Sequence, residues 1–450
     1  MSNPQMTLNE KTMSMKQEAV PLGFKQTEVG IIPKDWMVIN IAKTMKLING
    51  YGFKPSQWEK EGLPIIRIQN LNDSHAPYNY FTGVIDTKFH IKKGDLLFAW
   101  SGSKGVSFGA RVWQGKKAIL NQHIFKVIPD ENFVTASYSY YVLRKVQEQI
   151  EKMAHGFKSS FVHVKKGDLE NTPLPIPPKK EQTAIANVLS DTDTLITKLE
   201  HLITKKHSIK TATMQQLLTG HTRLPLFAKR PDGTLKSYKF SELGRIPEDW
   251  EVRPLGYLLN DSPRYGINAP AVKLGRNIPV YIRITDISDN GYFRPTEKVG
   301  VNSPLSDSYI LQEGDIVLAR TGASVGKSYL YKPEDGTLVY AGFLIKITPD
   351  QRSLNSKFLF QFLQTQQYWN WIATNSMRSG QPGVNGNEFA SLPIPVPPKK
   401  EQTAIASILT DMDAELEALE QKLSKIRDIK QGMMQQLLTG RIRLLLDHQP

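Results

Sequence analysis

The 450-residue sequence contains no cysteine, so disulfides, thiol nucleophiles and cysteine-based zinc sites are excluded. It also contains no apolar run near the roughly 20 residues that a membrane-spanning helix needs. The first twenty residues are polar and lack the apolar core of a signal peptide. We therefore expect a cytoplasmic protein with a disordered tail over residues 1–20.

Recognisable catalytic motifs are missing as well. TGASVGKS at 321–328 is not a P-loop, because three residues rather than four separate Gly322 from Gly326 and Thr321 occupies the required glycine position. The sequence has no Asn/Asp-Pro-Pro-aromatic tetrapeptide of the adenine methylases, and its histidines are scattered without metal-ligand spacing. We expect no catalytic residue, no metal and no cofactor in this chain.

Positive charge is in excess and unevenly distributed. The net charge is +14, of which residues 1–176 contribute +8 and residues 221–396 contribute +4. A basic surface on these two segments is suited to a polyanionic partner such as nucleic acid.

A long segment occurs twice, 220 residues apart. PPKKEQTAIA begins at Pro177 and again at Pro397, and each copy closes on MQQLLTG, at Gly220 and Gly440. Shorter echoes surround it, including an IP-x-DW motif that ends at Trp36 and at Trp250. The chain thus follows an A–B–A′–B′ plan. The predicted boundaries are residues 1–20 for the tail, 21–176 and 241–396 for the globular domains, 177–220 and 397–440 for the helices, 221–240 for the linker and 441–450 for the C-terminal tail.

The two kinds of segment predict different structures. A and A′ contain short β-branched runs such as LLFAW and IVLAR, bounded by Gly, Pro, Asn and Asp, together with helical stretches. B and B′ open on proline, end on glycine and repeat apolar residues every three or four positions. We predict an α+β protein in which two similar globular domains are held apart by two long helices, arranged as a pseudo-two-fold tandem repeat.

The helices should pair with each other. In B′ the apolar seam is continuous, whereas the seam of B, which includes Leu195, Leu202 and Ile209, is weakened at Thr192, Lys206 and Thr213. A helix of some 40 residues is about 60 Å long, and a linker of roughly 20 residues reaches about 66 Å when fully extended. A parallel pair would stretch that linker almost taut. We therefore predict an antiparallel coiled coil.

Candidate contacts with nucleic acid are polar residues near the Gly-rich turns and before the helices. Arginine can read guanine and Asn or Gln can read adenine, while Lys and Ser mostly bind phosphates. IP-x-DW could also be a recognition element, but a tryptophan after a Pro-Asp turn more often anchors a strand in the core. The DNA-binding candidates are Arg67, Gln69, Asn70, Lys104, Gln122, Lys158, Ser159 and Ser160 in A, and Arg283, Arg320, Thr321, Lys327, Arg378, Ser379, Gln381 and Asn385 in A′.

The two copies of PPKKEQTAIA and MQQLLTG, in the A–B–A′–B′ plan, resemble the specificity (S) subunit of Type I restriction-modification enzymes. That resemblance covers the chain beyond its first twenty residues. It implies that A and A′ are target recognition domains, each reading half of a bipartite asymmetric DNA site, and that B and B′ set the spacing between the halves.

The resemblance also implies partners. Two modification subunits would transfer methyl groups from S-adenosylmethionine to adenine N6. Restriction subunits can join to add cleavage dependent on ATP and Mg, and the alternative of a modification complex without a restriction partner stays open. We expect the identical ends of B and B′ to bind the modification subunits, and the differing surfaces, with Trp100 in A opposite Arg320 in A′, to read the bases. The partner-binding candidates are Glu181, Gln182, Ile185, Gln215, Gln216, Glu401, Gln402, Ile405, Gln435 and Gln436.

A coiled-coil adaptor that binds protein and not DNA is the alternative, although the excess positive charge of A and A′ disfavours it.

Overall fold

The computed structural model describes residues 20–73, 75–153, 161–377 and 380–445. The chain forms two compact units, and each unit takes part of both long helices. The first unit is Met1–Lys198 with Leu423–Pro450, and the second is Leu199–Lys422. The predicted tail lies outside the described residues up to residue 19, and so do residues 446–450.

In its described residues, the first globular domain consists of short strands and helices. The strands are β1 Phe24–Thr27, β2 Gly30–Pro33, β3 Met37–Asn40, β4 Met45–Asn49, β5 Leu63–Ile66, β6 Asn79–Phe81, β7 His90–Ile91, β8 Leu96–Ala99, β9 Ser101–Ser103, β10 Gly109–Val112, β11 Ala118–Leu120, β12 Ile124–Pro129, β13 Phe161–His163 and β14 Pro173–Ile176. The helices are α1 Ile41–Thr44, α2 Ile68–Asn72, α3 Ala136–Met153 and α4 Lys166–Glu170, with short 3-10 turns at Pro55–Gln57 and Thr87–Phe89.

The long helices and the second globular domain follow. The long helices are α5 Lys179–Leu218 and α9 Lys399–Leu437. The strands are β15 Tyr238–Ser241, β16 Gly244–Pro247, β17 Glu251–Pro254, β18 Arg264–Tyr265, β19 Ala271–Lys273, β20 Val280–Ile282, β21 Val299–Val301, β22 Ile316–Ala319, β23 Ser328–Leu330, β24 Leu338–Tyr340, β25 Leu344–Ile347 and β26 Pro393–Val396. The helices are α6 Ser356–Phe362, α7 Gln366–Asn375 and α8 Gly386–Ala390, with 3-10 turns at Leu255–Leu258, Ile284–Asp286, Ser306–Tyr309, Gly322–Ser324 and Pro333–Asp335.

The two globular domains share the topology of their antiparallel sheet. The first has an antiparallel sheet of order β10-β8-β12-β4, and the second has β23-β22-β25-β18, also antiparallel. Each also has a second sheet with one parallel pair, β5 with β11 in the first and β20 with β24 in the second. The LLFA and IVLA strands β8 and β22 are buried along their whole length, as expected for a strand covered on both faces. The predicted duplication is thus confirmed in the fold.

Each unit has a core that combines its globular domain with both long helices. In the first, Ile185 and Leu189 of α5 and Leu437 of α9 are buried with the domain around Trp36. In the second unit the two helices take the opposite parts, because the start of α9 and the end of α5 are buried around Trp250. The units therefore divide the chain within the helices rather than at their ends.

Within each unit the long helices run antiparallel. In the first, Lys430 of α9 forms an ion pair with Asp193 of α5. In the second, Lys206 Nζ lies 2.7 Å from Glu415, and Lys210 pairs with Asp413, so numbers rise along one helix as they fall along the other. The antiparallel prediction is confirmed.

The predicted seam of α5 is partly wrong. Leu195, Leu202 and Ile209 are 43%, 38% and 42% exposed. The inward face carries Thr192 and Lys206 instead. The reason is that lysines on this face of α5 form ion pairs with acidic residues of α9. Polar pairs therefore occupy positions at which the spacing of apolar residues predicts leucine.

Both long helices end near a glycine with positive φ. Gly220 has φ +73° and Gly440 has φ +65°. A Cβ on either would lie 2.4 Å from a proline Cδ, of Pro247 and Pro33 respectively. Glycine is therefore required at both ends by backbone conformation and by close packing.

Candidate nucleic-acid interface

A group of aromatic and polar side chains lies where β8 ends and β12 begins. Trp100 follows β8, and its indole N–H donates to the main-chain oxygen of Gln122 at 3.0 Å. The Trp100 ring is 5.1 Å from the ring of His123 and 5.0 Å from that of His163. Phe161, 53% exposed, stands two residues before His163 on β13. We call these five residues the first loop cluster.

Backbone pairing holds the first loop cluster in place. β13 pairs with β9, so that His163 is opposite Ser101. The Val164 N–H donates to the Trp100 oxygen at 3.0 Å. Burial, followed by the neighbouring His163, lowers the pKa of His123, so this imidazole is neutral at pH 7. The cluster therefore presents aromatic faces and an exposed Gln122 amide rather than a fixed cation.

The second globular domain has a different set of side chains at the corresponding place. Arg320 follows β22, as Trp100 follows β8, and its guanidinium carbon lies 4.9 Å from the centroid of the Tyr265 ring. Its main-chain N–H donates to Phe343, and its oxygen accepts from Val384. Phe343 is 58% exposed, and Gln381 is exposed on the segment that pairs with Thr321. We call Tyr265, Arg320, Phe343 and Gln381 the second loop cluster.

The structure gives the other candidates of the first domain different surroundings. Arg67 is half-buried, stacks 4.5 Å from the Trp58 ring and donates to Asn79 Oδ1 at 3.0 Å. Gln69 is exposed. Asn70 is buried, accepts from the Arg67 N–H and donates to the main chain of the following loop. Its prediction as a DNA contact is wrong, because both ends of its amide stabilise a turn.

In the second domain Arg283 has its own counterion. Its Nε and Nη2 donate to Asp286 at 2.9 and 2.8 Å, and these bonds raise its pKa. The Asp286 carboxylate also accepts from the Arg283 N–H, the same turn contact that Asn70 makes. Arg283 is therefore a weaker candidate than its charge suggested.

Three further candidates also have structural partners. Lys327 Nζ lies 2.7 Å from the Asp289 carboxylate, and Thr321 is half-buried in the bridge to Gly383. Asn385 is the N-cap of α8, with its side-chain oxygen accepting from the Glu388 N–H at 2.9 Å. The Asn385 oxygen thus already accepts one hydrogen bond within the domain, and Asn385 stays a prediction as a DNA contact.

Lys104 is half-buried in the turn after β9. Five more candidates lie outside the described residues: Lys158, Ser159, Ser160, Arg378 and Ser379.

An ion cluster lies at the start of each long helix. In the second unit Arg223 donates from Nε and Nη2 to Glu401 at 2.8 and 2.6 Å and from Nη1 to Asp249 at 2.7 Å. Glu401 also accepts from the Trp250 indole N–H at 3.1 Å. We call this group the second clamp.

The first unit contains the same arrangement 220 residues away. Arg443 donates to Glu181 at 2.9 and 2.6 Å and to Asp35 at 3.0 and 2.8 Å. The Trp36 indole N–H donates to Glu181 at 3.1 Å. We call this the first clamp. The tryptophan of IP-x-DW is therefore buried in the core, as the sequence favours. Arg223 and Arg443 were not predicted from the sequence, although the spacing LLTG-x-x-R is repeated.

A family model for the type I restriction modification DNA specificity domain matches residues 33–211 and again residues 247–428. The chain belongs to this family.

Relatives match along almost all of this specificity subunit. It is 26% identical over 443 residues to the MjaVIII specificity subunit of Methanocaldococcus jannaschii, covering 94% of this chain and 96% of the relative. It is 23% identical over 431 residues to the EcoBI specificity subunit of Escherichia coli, covering 91% and 87%. The S subunit structure from M. genitalium superposes with a TM-score of 0.57 at 18% identity, covering 89% and 96%, which supports the fold. As a DNA specificity subunit, the chain is non-catalytic, and the adaptor alternative is not favoured.

The specificity subunit does not offer all the predicted partner-binding residues to a partner. Gln182 is buried, accepts from the Thr135 N–H and donates to two main-chain oxygens, and Gln402 does the same in the second unit. The predictions are wrong for six residues that are at most 1% exposed and fill the unit cores: Glu181, Gln182, Ile185, Glu401, Gln402 and Ile405. Gln215, Gln216, Gln435 and Gln436 are half-buried or exposed and stay predictions.

Among the described residues of the specificity subunit, no group of His, Asp and Glu is placed to hold a metal ion. None of the helices in the described ranges is long and apolar enough to cross a membrane.

Proposed function

We propose that each loop cluster contacts one half of a bipartite asymmetric site in double-stranded DNA, and that α5 and α9 set the spacing between the halves. The observation that carries this proposal is the contrast at one place in a duplicated fold. Trp100 with two histidines occupies in one domain the place that Arg320 on Tyr265 occupies in the other. A duplicated scaffold with different chemistry at the same turn is suited to reading two different sequences.

Charge supports DNA as the ligand. The segments that carry the loop clusters, residues 1–176 and 221–396, hold +8 and +4 of the net +14. Contacts with phosphates release counterions, so binding should weaken steeply as salt rises.

We further propose that two modification subunits bind the repeated ends of the helices. Gln215 and Gln216 of α5, and Gln435 and Gln436 of α9, recur 220 residues apart and lie at the surface of their own units. Repeated surface groups on a duplicated frame are suited to two copies of one partner. These subunits would use S-adenosylmethionine to methylate adenine N6, and restriction subunits using ATP and Mg would join the same complex.

The test is an exchange of recognition domains within the complex with its modification subunits. Replacing residues 41–172 by the corresponding segment of another family member keeps the first clamp and the β3–β14 ladder, which is built from Met37–Asn40 and Pro173–Ile176. Only one half-site should change in methylated DNA. The matched exchange of residues 255–392 keeps the β17–β26 ladder and should change only the other half.

Two results would count against the proposal. If either exchange altered both half-sites together, the domains would not read independently. If the wild-type complex bound DNA without sequence preference or salt dependence, the proposal of specific DNA reading would fail altogether.

A further inference from the structure

Arg320 differs from the other arginines of the second unit that have been described above. Arg223 and Arg283 each donate two or more hydrogen bonds to carboxylates. Across the described residues, the Arg320 side chain makes no hydrogen bond and no ion pair, and its Nε is enclosed without a partner. Its charge is therefore not neutralised within the part of the chain that the structure describes.

The Tyr265 ring gives this guanidinium a fixed platform. The guanidinium carbon lies 4.9 Å from the ring centroid, within the range of a cation–π contact. Tyr265 is held in turn, because its hydroxyl accepts from the Gly386 N–H at 3.1 Å. A cation held over a ring loses less freedom on binding than one on a mobile side chain.

The terminal nitrogens of Arg320 are the ones left for a ligand. The enclosed unpartnered polar atoms include its Nε but neither Nη1 nor Nη2. Two terminal N–H groups of one planar guanidinium match the O6 and N7 acceptors that guanine presents in the major groove. The neighbouring Phe343 and Gln381 are exposed, so the surrounding surface is open to a large ligand.

The tight turn beside Arg320 depends on glycine. Gly322 has φ +72°, and a Cβ there would lie 2.9 Å from the Gln381 amide nitrogen. The Arg320 oxygen accepts from the Val384 N–H at 2.9 Å, and Thr321 is bridged to Gly383. Hydrogen bonds thus hold the backbone on both sides of Arg320 in place, as a side chain that contacts a single base requires.

We propose that Arg320 determines specificity by donating two hydrogen bonds to O6 and N7 of one guanine, in the half-site contacted by the second recognition domain. This inference rests on the proposed function. The first loop cluster has Trp100 and a neutral His123 at the same place, so it makes no equivalent guanidinium contact with the other half-site.

The experiment uses the complex of the full chain with its modification subunits. Binding is measured on duplexes in which each guanine of the second half-site is replaced in turn by 7-deazaguanine, which lacks the N7 acceptor. For the wild type, one position should weaken binding by roughly 2- to 13-fold, about half of the free energy of a bidentate base contact, because the O6 acceptor remains. In the Arg320→Ala complex, that same replacement should have no effect.

Arg320→Lys separates base reading from phosphate binding. Lysine keeps the charge but not the planar pair of donors, so the salt dependence should be kept while discrimination at that guanine is lost. Arg352→Ala is the matched control, because Arg352 is an exposed arginine of the same unit that is paired with Asp350. It should leave the response to every replacement unchanged.

The outcomes are distinguishable. The inference is overturned if Arg320→Ala keeps the wild-type response at every guanine. It is equally overturned if Arg320→Ala weakens all duplexes alike and lowers the salt dependence, since that result indicates a phosphate contact. A wild-type complex without site-specific binding would instead refute the proposed function. Circular dichroism and thermal unfolding of both variants exclude a folding defect as the cause.

Discussion

Substituting Arg223 by alanine is expected to destabilise the second unit more than substituting Arg443 destabilises the first. The two clamps have the same hydrogen bonds but different access to water. The side chain of Arg223 is 5% exposed and Glu401 is fully buried, whereas Arg443 is 42% exposed and its partner Asp35 is 48% exposed. Water can therefore replace Arg443 more readily than Arg223.

The magnitudes follow from what each substitution leaves behind. Without Arg223, the Glu401 carboxylate keeps only the Trp250 indole N–H as a described partner from the clamp. Removing one member of a buried pair costs about 3–5 kcal/mol. For Arg443 we expect about 1–3 kcal/mol, because its guanidinium lies at the surface and water can take its place beside the buried Glu181 carboxylate.

Hydrogen exchange followed by mass spectrometry is the suitable assay, because it reports the two units separately. Arg352→Ala, which removes an exposed pair, should leave stability essentially unchanged. The double variant Arg223→Ala with Glu401→Gln should recover part of the loss, because glutamine leaves no buried charge. An Arg443→Ala loss as large as that of Arg223→Ala, or no recovery in the double variant, would refute this reasoning.

Three other predictions concern a buried lysine, the helix glycines and the helix length. Burial lowers the pKa of Lys145 from 10.5 to about 8. Between these pH values the folded chain has lost a proton that the unfolded chain keeps, so the free energy of unfolding should rise with pH. Urea unfolding at about pH 7.5, 9 and 10 should show this rise in the wild type and not in Lys145→Met. Gly440→Ala should destabilise the first unit by about 1–3 kcal/mol, because Gly440 has a positive φ and an added Cβ would clash with Pro33. Gly432 lies inside α9 with open space around it, so Gly432→Ala should stabilise the protein by about 0.5–1 kcal/mol. Equal shifts of the two variants in thermal unfolding would contradict this prediction. Inserting one heptad after Lys198 and another after Lys422 adds about 10 Å to each long helix. The spacer between the two half-sites in methylated DNA should then lengthen by about 3 base pairs. An unchanged spacer would argue against a spacing role for the helices.

The duplicated plan was predictable because the repeats preserve residues with strict local roles. Gly220 and Gly440 have positive φ, and the tryptophans of IP-x-DW are fully buried. The antiparallel pairing followed from the length of the linker alone. These features depend on local backbone conformation and on the maximum length of a linker, both of which can be inferred directly from a sequence.

The role of the repeated helix starts was not predictable in the same way. Identity between two copies shows that a residue is constrained but not what constrains it. Glu181 and Glu401 looked like partner contacts, yet arginines from distant parts of the chain enclose them, 262 residues away for Arg443 and 178 for Arg223. The loss of Asn70 as a DNA contact has a similar cause, since its amide is used by a turn whose geometry appears only in the fold.

Mapping methylated adenines in DNA from cells that express the complex tests the central claim most directly. The account predicts one asymmetric sequence made of two short half-sites separated by a spacer of fixed length and unspecified bases. Methylation without sequence preference, or at an uninterrupted or palindromic site, would contradict it.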